Sequence, residues 1–324
     1  MLDWPLKTPA VSESEIPILN SYYLKACPTP SDPTIVWGTE FDVTPRRAFL
    51  QSVNADSRVL VTGAHLLLKA VAQSLVHHPR LNRRVVRRRL YEFQHINILM
   101  PLQNRHSGEA EVILLKGVDR LSLAEISRQV WEHHRNTTAR HRAHDFQKAL
   151  FRRLPRPLVS SLLRFLLRFT NRFHRPITRL NQQLVGAAVL VNDFSHLRAP
   201  MRSYKPSRFP TDSWTLTITL GPAEDRPVVV DGQIRIRQMA PLFVRSDHRL
   251  VDGHELGQFV QTLRTILADP ASLESNAVSS GGTAVRLPRR RRSIRPPGPT
   301  VKHRNRDQQR TQDRAPSAPV SKQA

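Results

Sequence analysis

Thiols are almost missing from this chain: 324 residues hold one cysteine, Cys27. That excludes an internal disulfide framework and any thiolate-ligated metal site. Long apolar runs are missing as well. No stretch approaches the ~18 consecutive apolar residues of a membrane-spanning helix, and the longest candidates are broken by arginine. The opening MLDWPLKTPAVSESEIP lacks the basic-then-apolar order of a secretory signal, so a reducing, cytoplasmic setting is the expectation. No glycine-rich phosphate loop is present. The pairs His77-His78 and His133-His134 have no carboxylate or cysteine at metal-ligand spacing, so no metal is expected.

Lysine is scarce too, and this turns the question to what is present. Of 50 basic residues only eight are lysine, against 26 acidic residues and a formal charge of +24. Part of that bias is a solvated, arginine-rich surface, but the charge is clustered. Residues 286–324 hold twelve Arg and Lys against two Asp, and residues 140–180 hold eleven against the single Asp145. Clusters of this kind fit an anionic membrane surface or nucleic acid. The basic tail lacks interleaved aromatics, which argues against base stacking on single strands.

Hydrophobic patterning divides the chain into three parts. Residues 1–33 carry no sustained periodicity and read as an N-terminal arm. Residues 34–275 carry alternating and helical patterns and form the folded domain. Residues 276–324 lack any core-forming pattern and read as a disordered basic tail.

Within the domain, TIVWGTEFDV from residue 34 alternates as a half-buried strand does. Leu66, Leu67, Ala70, Val71, Ser74 and Leu75 recur at helical spacing, and His77-His78-Pro79 ends the pattern. YEFQHINILMPLQ and EAEVILLKGV read as neighbouring strands. Ser122 and Glu125 have the capping-box spacing that opens a helix. Over 150–180, Arg164, Arg168 and Arg172 fall on one helical stripe and Leu162, Phe165, Leu166, Phe169 and Phe173 on another. That is a basic amphipathic helix, suited to docking on a core or lying in a membrane interface. GAAVLVNDF and DSWTLTITLG return to strand patterning. Asp231-Gly232, between alternating runs, gives a type I′ hairpin signal. The run ELGQFVQTLRTILADP is an amphipathic helix stopped by Pro270. Mixed strands, helices and hairpins without repeats indicate an α/β (α+β) sandwich, a mixed sheet packed with helices.

The stretch RSDHRLVDGHE, residues 245–255, joins a strand pattern to a helix pattern. A histidine at such a junction, His248, is held on a rigid element and is suited to take a proton near neutral pH. A thiol is a natural donor to such a base, because the thiolate is the stronger nucleophile. Asp252, four residues on, is placed to cap the helix or pair with an arginine. Gly253 admits a backbone conformation or close approach that a side chain would block. The plainer reading of the same spacing is a capped helix with His248 in its turn.

SDHRLVDGHELGQFVQTLRTILADP resembles the C-terminal signature of the chloramphenicol acetyltransferase-like superfamily, closest to the catalytic domain of dihydrolipoamide acyltransferases of 2-oxo acid dehydrogenase complexes. The preceding hairpin, HLLLKAVAQSLVHHPRLNRR, and INILMPLQ with VDRLSLAEISRQV resemble further family segments, in order, over residues 34–270. The resemblance implies a homotrimer with active sites between subunits and coenzyme A, or an acyl-coenzyme A, as substrate. It implies His248 as general base and Asp252 as structural support paired with an N-terminal arginine, Arg46 or Arg47 by position, with Gly253 keeping the turn. Where the family has an oxyanion-binding serine, GAAVLVNDFSHL places Asn192, with Ser195 three residues on; an asparagine amide can also donate there. The chain has no lipoyl-domain motif, so no covalent lipoyl group is expected. A catalytically degenerate relative, acting as an oligomeric or membrane-surface module through 150–180 and 286–324, is the alternative, with a cytoplasmic, peripheral location.

Overall fold

In the computed structural model, residues 33–56, 59–86, 88–103, 110–135, 155–173, 185–204 and 214–273 are described, with a few positions between 7 and 15. Nine strands are seen among them: β1 (Thr34–Asp42), β2 (Arg83–Val86), β3 (Arg89–Glu92), β4 (Ile98–Gln103), β5 (Ala110–Leu115), β6 (Val189–Asp193), β7 (Leu216–Leu220), β8 (Glu224–Val230) and β9 (Gln233–Asp247). Five α-helices join them: α1 (Thr44–Asp56), α2 (Gly63–His77), α3 (Leu123–Arg135), α4 (Arg156–Phe173) and α5 (Gly253–Ala268).

Seven strands form one mixed sheet in the order β1-β9-β7-β6-β4-β5, with β8 also on β9. The central β4, β6 and β7 run parallel, and the outer pairings are antiparallel. The period-2 alternation of strand side chains sorts the two faces. Leu216, Ile218, Val189, Val191, Ile113 and Leu115 point into the main core with Leu66, Leu67, Leu75, Phe259 and Leu263 of α2 and α5. Thr217 and Thr219 alternate with those leucine and isoleucine residues and are buried on the other face. A smaller cluster of Leu99, Ala187, Leu190 and Trp214 also forms there. The expected α/β sandwich is therefore the observed architecture.

Local signals explain several element ends. The Ser122–Glu125 capping box forms: the Ser122 N–H donates to Glu125 Oε2 at 2.7 Å and the Glu125 N–H to Ser122 Oγ at 3.2 Å. Asp231 and Gly232 turn the β8–β9 hairpin with φ of 51° and 76°, the left-handed pair a type I′ turn requires.

One sequence expectation needs correction, and two features go beyond the sequence reading. YEFQHINILMPLQ is two strands, because Phe93 to Asn97 break away and β3 pairs with β2 in a separate two-stranded sheet. Helix α1 was not visible, since TPRRAFLQSVNAD has little apolar periodicity and is fixed by packing beside β9. The arm is tied down where it is described, with Lys7 and Val11 donating backbone hydrogen bonds to Glu92 and Leu90 of β3. Residues 276–324 lie outside the described set.

Candidate active site

Strand β9 delivers the motif. Its last residues, Arg245, Ser246 and Asp247, are buried, and the chain then turns, with the Leu250 N–H donating to Asp247 O at 2.9 Å. Leu250 and Val251 sink into the core and anchor the turn from inside. His248 stays half-buried between these anchors, and its backbone N–H donates to Pro33 O at 2.7 Å. Its ring Nδ1 lies 3.1 Å from Val251 O. A carbonyl oxygen only accepts, so Nδ1 carries the proton and Nε2 is the ring's basic nitrogen.

Asp252 is the N-cap of α5: its Oδ1 accepts from the Glu255 N–H at 2.8 Å. Capping satisfies one of the helix's unpaired N–H groups and fixes where the helix begins. The aspartate thereby sets the carbonyl of Val251, which orients His248. The residues Arg46 and Arg47, expected to pair with Asp252, sit on α1 instead. Arg46 lies over Gly63, where an added Cβ would come within 2.8 Å of its guanidinium. Burial holds that guanidinium below its usual range, and the charge of Asp193 opposes the shift. Arg47 lines an open groove with Asn54 and Gln238.

The bidentate pair at the motif is instead Arg249 with Asp247. Arg249 Nε donates to Asp247 Oδ1 at 2.9 Å, and both side chains are buried. The pair flanks His248 on both sides in sequence and braces the turn. Its signal was the D-x-R within SDHR, legible only once the turn was known. Gly253 shows neither the special backbone conformation nor the close approach within the protomer. It is the first residue of α5 without a left-handed φ, and an added Cβ would meet nothing within 4 Å in the protomer. The close approach falls one turn later, where a Cβ at Gly257 would lie 3.2 Å from the Trp37 ring.

Glu255 faces the same helix start. Burial raises its pKa, while Arg80, 3.6 Å away, pulls it down. His78 joins the far side of α5, with Nε2 2.9 Å from Thr262 Oγ1 and its ring edge-on to Phe259.

Asn192 lies near the end of β6, buried on the sheet face away from the helices, and its Nδ2 donates to Thr219 Oγ1 at 3.2 Å. Ser195 follows in a turn, where its N–H donates to Asp193 Oδ1 at 2.9 Å. The strand register separates this end from His248. Asn192 pairs with Thr219, and Thr219 with Phe243. His248 stands five residues beyond Phe243, roughly 17 Å along the strand. One protomer therefore does not bring His248 and Asn192 together. Among the described residues, no group of three or more His, Cys, Asp or Glu side chains is arranged to hold a metal ion.

A histidine missed by sequence reasoning lies near the Asn192 end. His65, in the first turn of α2, is buried, and its Nδ1 accepts from the Thr62 N–H at 3.1 Å. Burial lowers its pKa to about 4, against an opposing influence of Asp193.

Residues 216–274 match the family model for the 2-oxoacid dehydrogenases acyltransferase (catalytic domain). The same region is similar to the lipoamide acyltransferase component of the branched-chain alpha-keto acid dehydrogenase complex of Pseudomonas putida. That similarity is 49% identity over 49 residues, covering 15% of this chain and 12% of that protein. The dihydrolipoyllysine-residue succinyltransferase component of the 2-oxoglutarate dehydrogenase complex of Escherichia coli is 44% identical over 50 residues, 15% of this chain and 12% of that protein. The chain thus aligns with only about an eighth, 12%, of the length of these curated relatives.

Solved structures extend the likeness at the level of fold. The cubic core of the pyruvate dehydrogenase multienzyme complex superposes with a TM-score of 0.55 at 19% identity, over 83% of this chain and 93% of that one. Azotobacter vinelandii dihydrolipoamide acetyltransferase, studied for the roles of a serine, a histidine and an asparagine in its catalytic mechanism, gives 0.54 at 19% identity, over 82% and 94%.

Proposed function

We propose that this chain, whose residues 216–274 carry a 2-oxoacid dehydrogenase acyltransferase catalytic-domain segment on the fold of those acyltransferase cores, transfers an acyl group between coenzyme A, or another thioester, and a thiol, hydroxyl or amine acceptor. The observation that carries the reading is the 3.1 Å contact between His248 Nδ1 and Val251 O inside the matched segment, which leaves Nε2 as the proton acceptor.

With Nδ1 protonated, Nε2 of His248 takes the proton from the acceptor thiol. The thiolate attacks the thioester carbonyl, and the negative charge moves to its oxygen. Nδ2 of Asn192 carries two hydrogens, one of which goes to Thr219; the second is the proposed donor to that oxyanion. Collapse expels the donor thiolate, which recovers the proton from His248. Asp252 and the Arg249–Asp247 pair position the base and do not touch the substrate.

The site is proposed to be shared between copies in a homotrimer. The separation of His248 from Asn192 within one protomer supports this, since a second copy can supply the missing partner. The β8–β9 hairpin supports it too: Val229, Ile234 and Ile236 are exposed, with Val229 paired to Ile234 and Ile236 two residues further along β9, an apolar patch suited to a neighbouring subunit.

The test is acyl transfer from a panel of acyl-coenzyme A donors to thiol acceptors, comparing the chain with His248→Ala. Equal activity in the two would sink the assignment. A folded oligomer without transfer for any donor would favour the degenerate alternative.

A further inference from the structure

Helix α4 plays no part in the proposed chemistry. It is an 18-residue helix with arginine but no acidic residue anywhere along it, and none of its described side chains joins the two core clusters. Its covered described side chains lie on one side. Thr170 is fully buried, with its hydroxyl donating to Leu166 O at 2.8 Å, and Leu166 and Phe169 are half-covered.

Beside them an apolar stripe stays open. Leu158, Leu162, Phe165 and Phe173 are exposed, Phe165 at 60%. Leu158, Leu162 and Phe165 follow at four- and three-residue spacing and Phe173 comes eight residues on, so they share one face. Phe165, Phe169 and Phe173 form a ladder with ring centroids 6.3 and 4.5 Å apart. Next to the stripe run the exposed Arg164, Arg168 and Arg172, and the Arg172 guanidinium lies 5.7 Å above the Phe173 ring.

We infer that α4 is a membrane-interface helix that lays its Leu and Phe stripe into the surface of a bilayer containing anionic phospholipid. Among the described residues no helix is long and apolar enough to cross a membrane, and α4 is placed in the plane of the interface. The stripe enters the acyl boundary, and the arginines reach lipid phosphates with their stems along the apolar surface. Charge favours this occupant over a second copy of α4 itself. A two-fold pairing of α4 with itself would set arginine rows against each other with no carboxylate to answer them, whereas an anionic surface complements them. The inference stands independently of the acyl-transfer reading.

Flotation of the full-length protein with vesicles tests it. Binding is expected to phosphatidylcholine vesicles containing one-third phosphatidylglycerol and to be lost on phosphatidylcholine alone. At about a kcal/mol per arginine near such a surface, the Arg164→Gln/Arg168→Gln/Arg172→Gln variant should bind roughly 100-fold more weakly. Leu162→Ser/Phe165→Ser should also lose binding while keeping the protein's circular dichroism spectrum. These positions are exposed, so folding is not at stake. Phe165→Trp should shift its emission to the blue on the anionic vesicles and be quenched by brominated lipid. Unchanged binding in both multiple variants would place the contact on another basic segment and overturn the inference. An unshifted Phe165→Trp spectrum on bound vesicles, or retention on nucleic acid in place of vesicles, would overturn it equally.

Discussion

Asn192 and His248 lie at opposite ends of one sheet, on strands separated by β7: the register runs from Asn192 through Thr219 to Phe243, and His248 follows five residues later. The proposed base and the proposed oxyanion donor therefore lie at opposite ends of the same sheet's strands. A catalytic unit that needs both must draw them from two chains.

Subunit mixing follows directly. His248→Ala and Asn192→Ala should each lose most acyl transfer on their own. Co-assembled in equal amounts at random, they should recover about a quarter of the wild-type sites, since an intact site needs an unmutated group from each of two copies. The measurement is activity of the mixture after unfolding and refolding together. No recovery above either parent would exclude a shared site.

His248→Ala should lower kcat by at least ~100-fold, the range expected on losing a general base, with no loss of thermal stability. His248→Gln should be as inactive, because the amide cannot take the proton. A stopped-flow or thiol-release assay across pH reads both.

Asn192→Ser should retain transfer, since a hydroxyl can donate to the oxyanion from the same position, while Asn192→Ala loses it. Ser195→Ala should leave kcat unchanged. A large loss in Ser195→Ala with none in Asn192→Ala would move the donor role to the turn.

Asp252→Ala removes the α5 cap and should cost about 1 kcal/mol of stability in urea unfolding. Activity should fall too, because Val251 O no longer holds the His248 ring. Asp252→Asn, which still caps, should restore most of both.

His65 gives the stability a pH dependence. Folding favours its neutral form, so the folded pKa of about 4 lies below the ordinary 6.5. This contribution is fully present above pH ~6.5 and is lost as pH falls toward 4, by at most about 3 kcal/mol. Protonation also removes the acceptor that Nδ1 offers Thr62. His65→Gln, which can still accept at that capping position, should flatten the melting temperature between pH 4 and 6.5. An equal acid loss in the variant would assign the effect elsewhere.

Much of the fold was legible because its elements announce themselves locally. TLTITL in β7 reads as a strand since alternation is a property of adjacent residues, and Ser122 and Glu125 mark a helix start three residues apart. Helix α1 and the break at Phe93 carried no such mark. Their shape comes from β9 on one side and β2 on the other, which lie far away in sequence. The site divides in the same way. His248 and Asp252 could be found from their spacing, but the partner of Asp252 could not. Arg46 and Arg47 were nominated from position, and the structure puts Arg46 against Gly63 while the helix end itself takes up Asp252.

By itself, then, the sequence determined the mixed α/β pattern, the strand-to-helix junction that presents His248, and the arginine and apolar stripes of α4. All of these depend on residues within a few positions of one another. Only the tertiary structure decided that Arg249 and Asp247 brace the turn and that Gly257, not Gly253, is the glycine its neighbours require. It also set His248 and Asn192 at opposite ends of the sheet. Strand register is fixed by which side chains fit the core across the whole domain, and no local stretch of the chain contains that information.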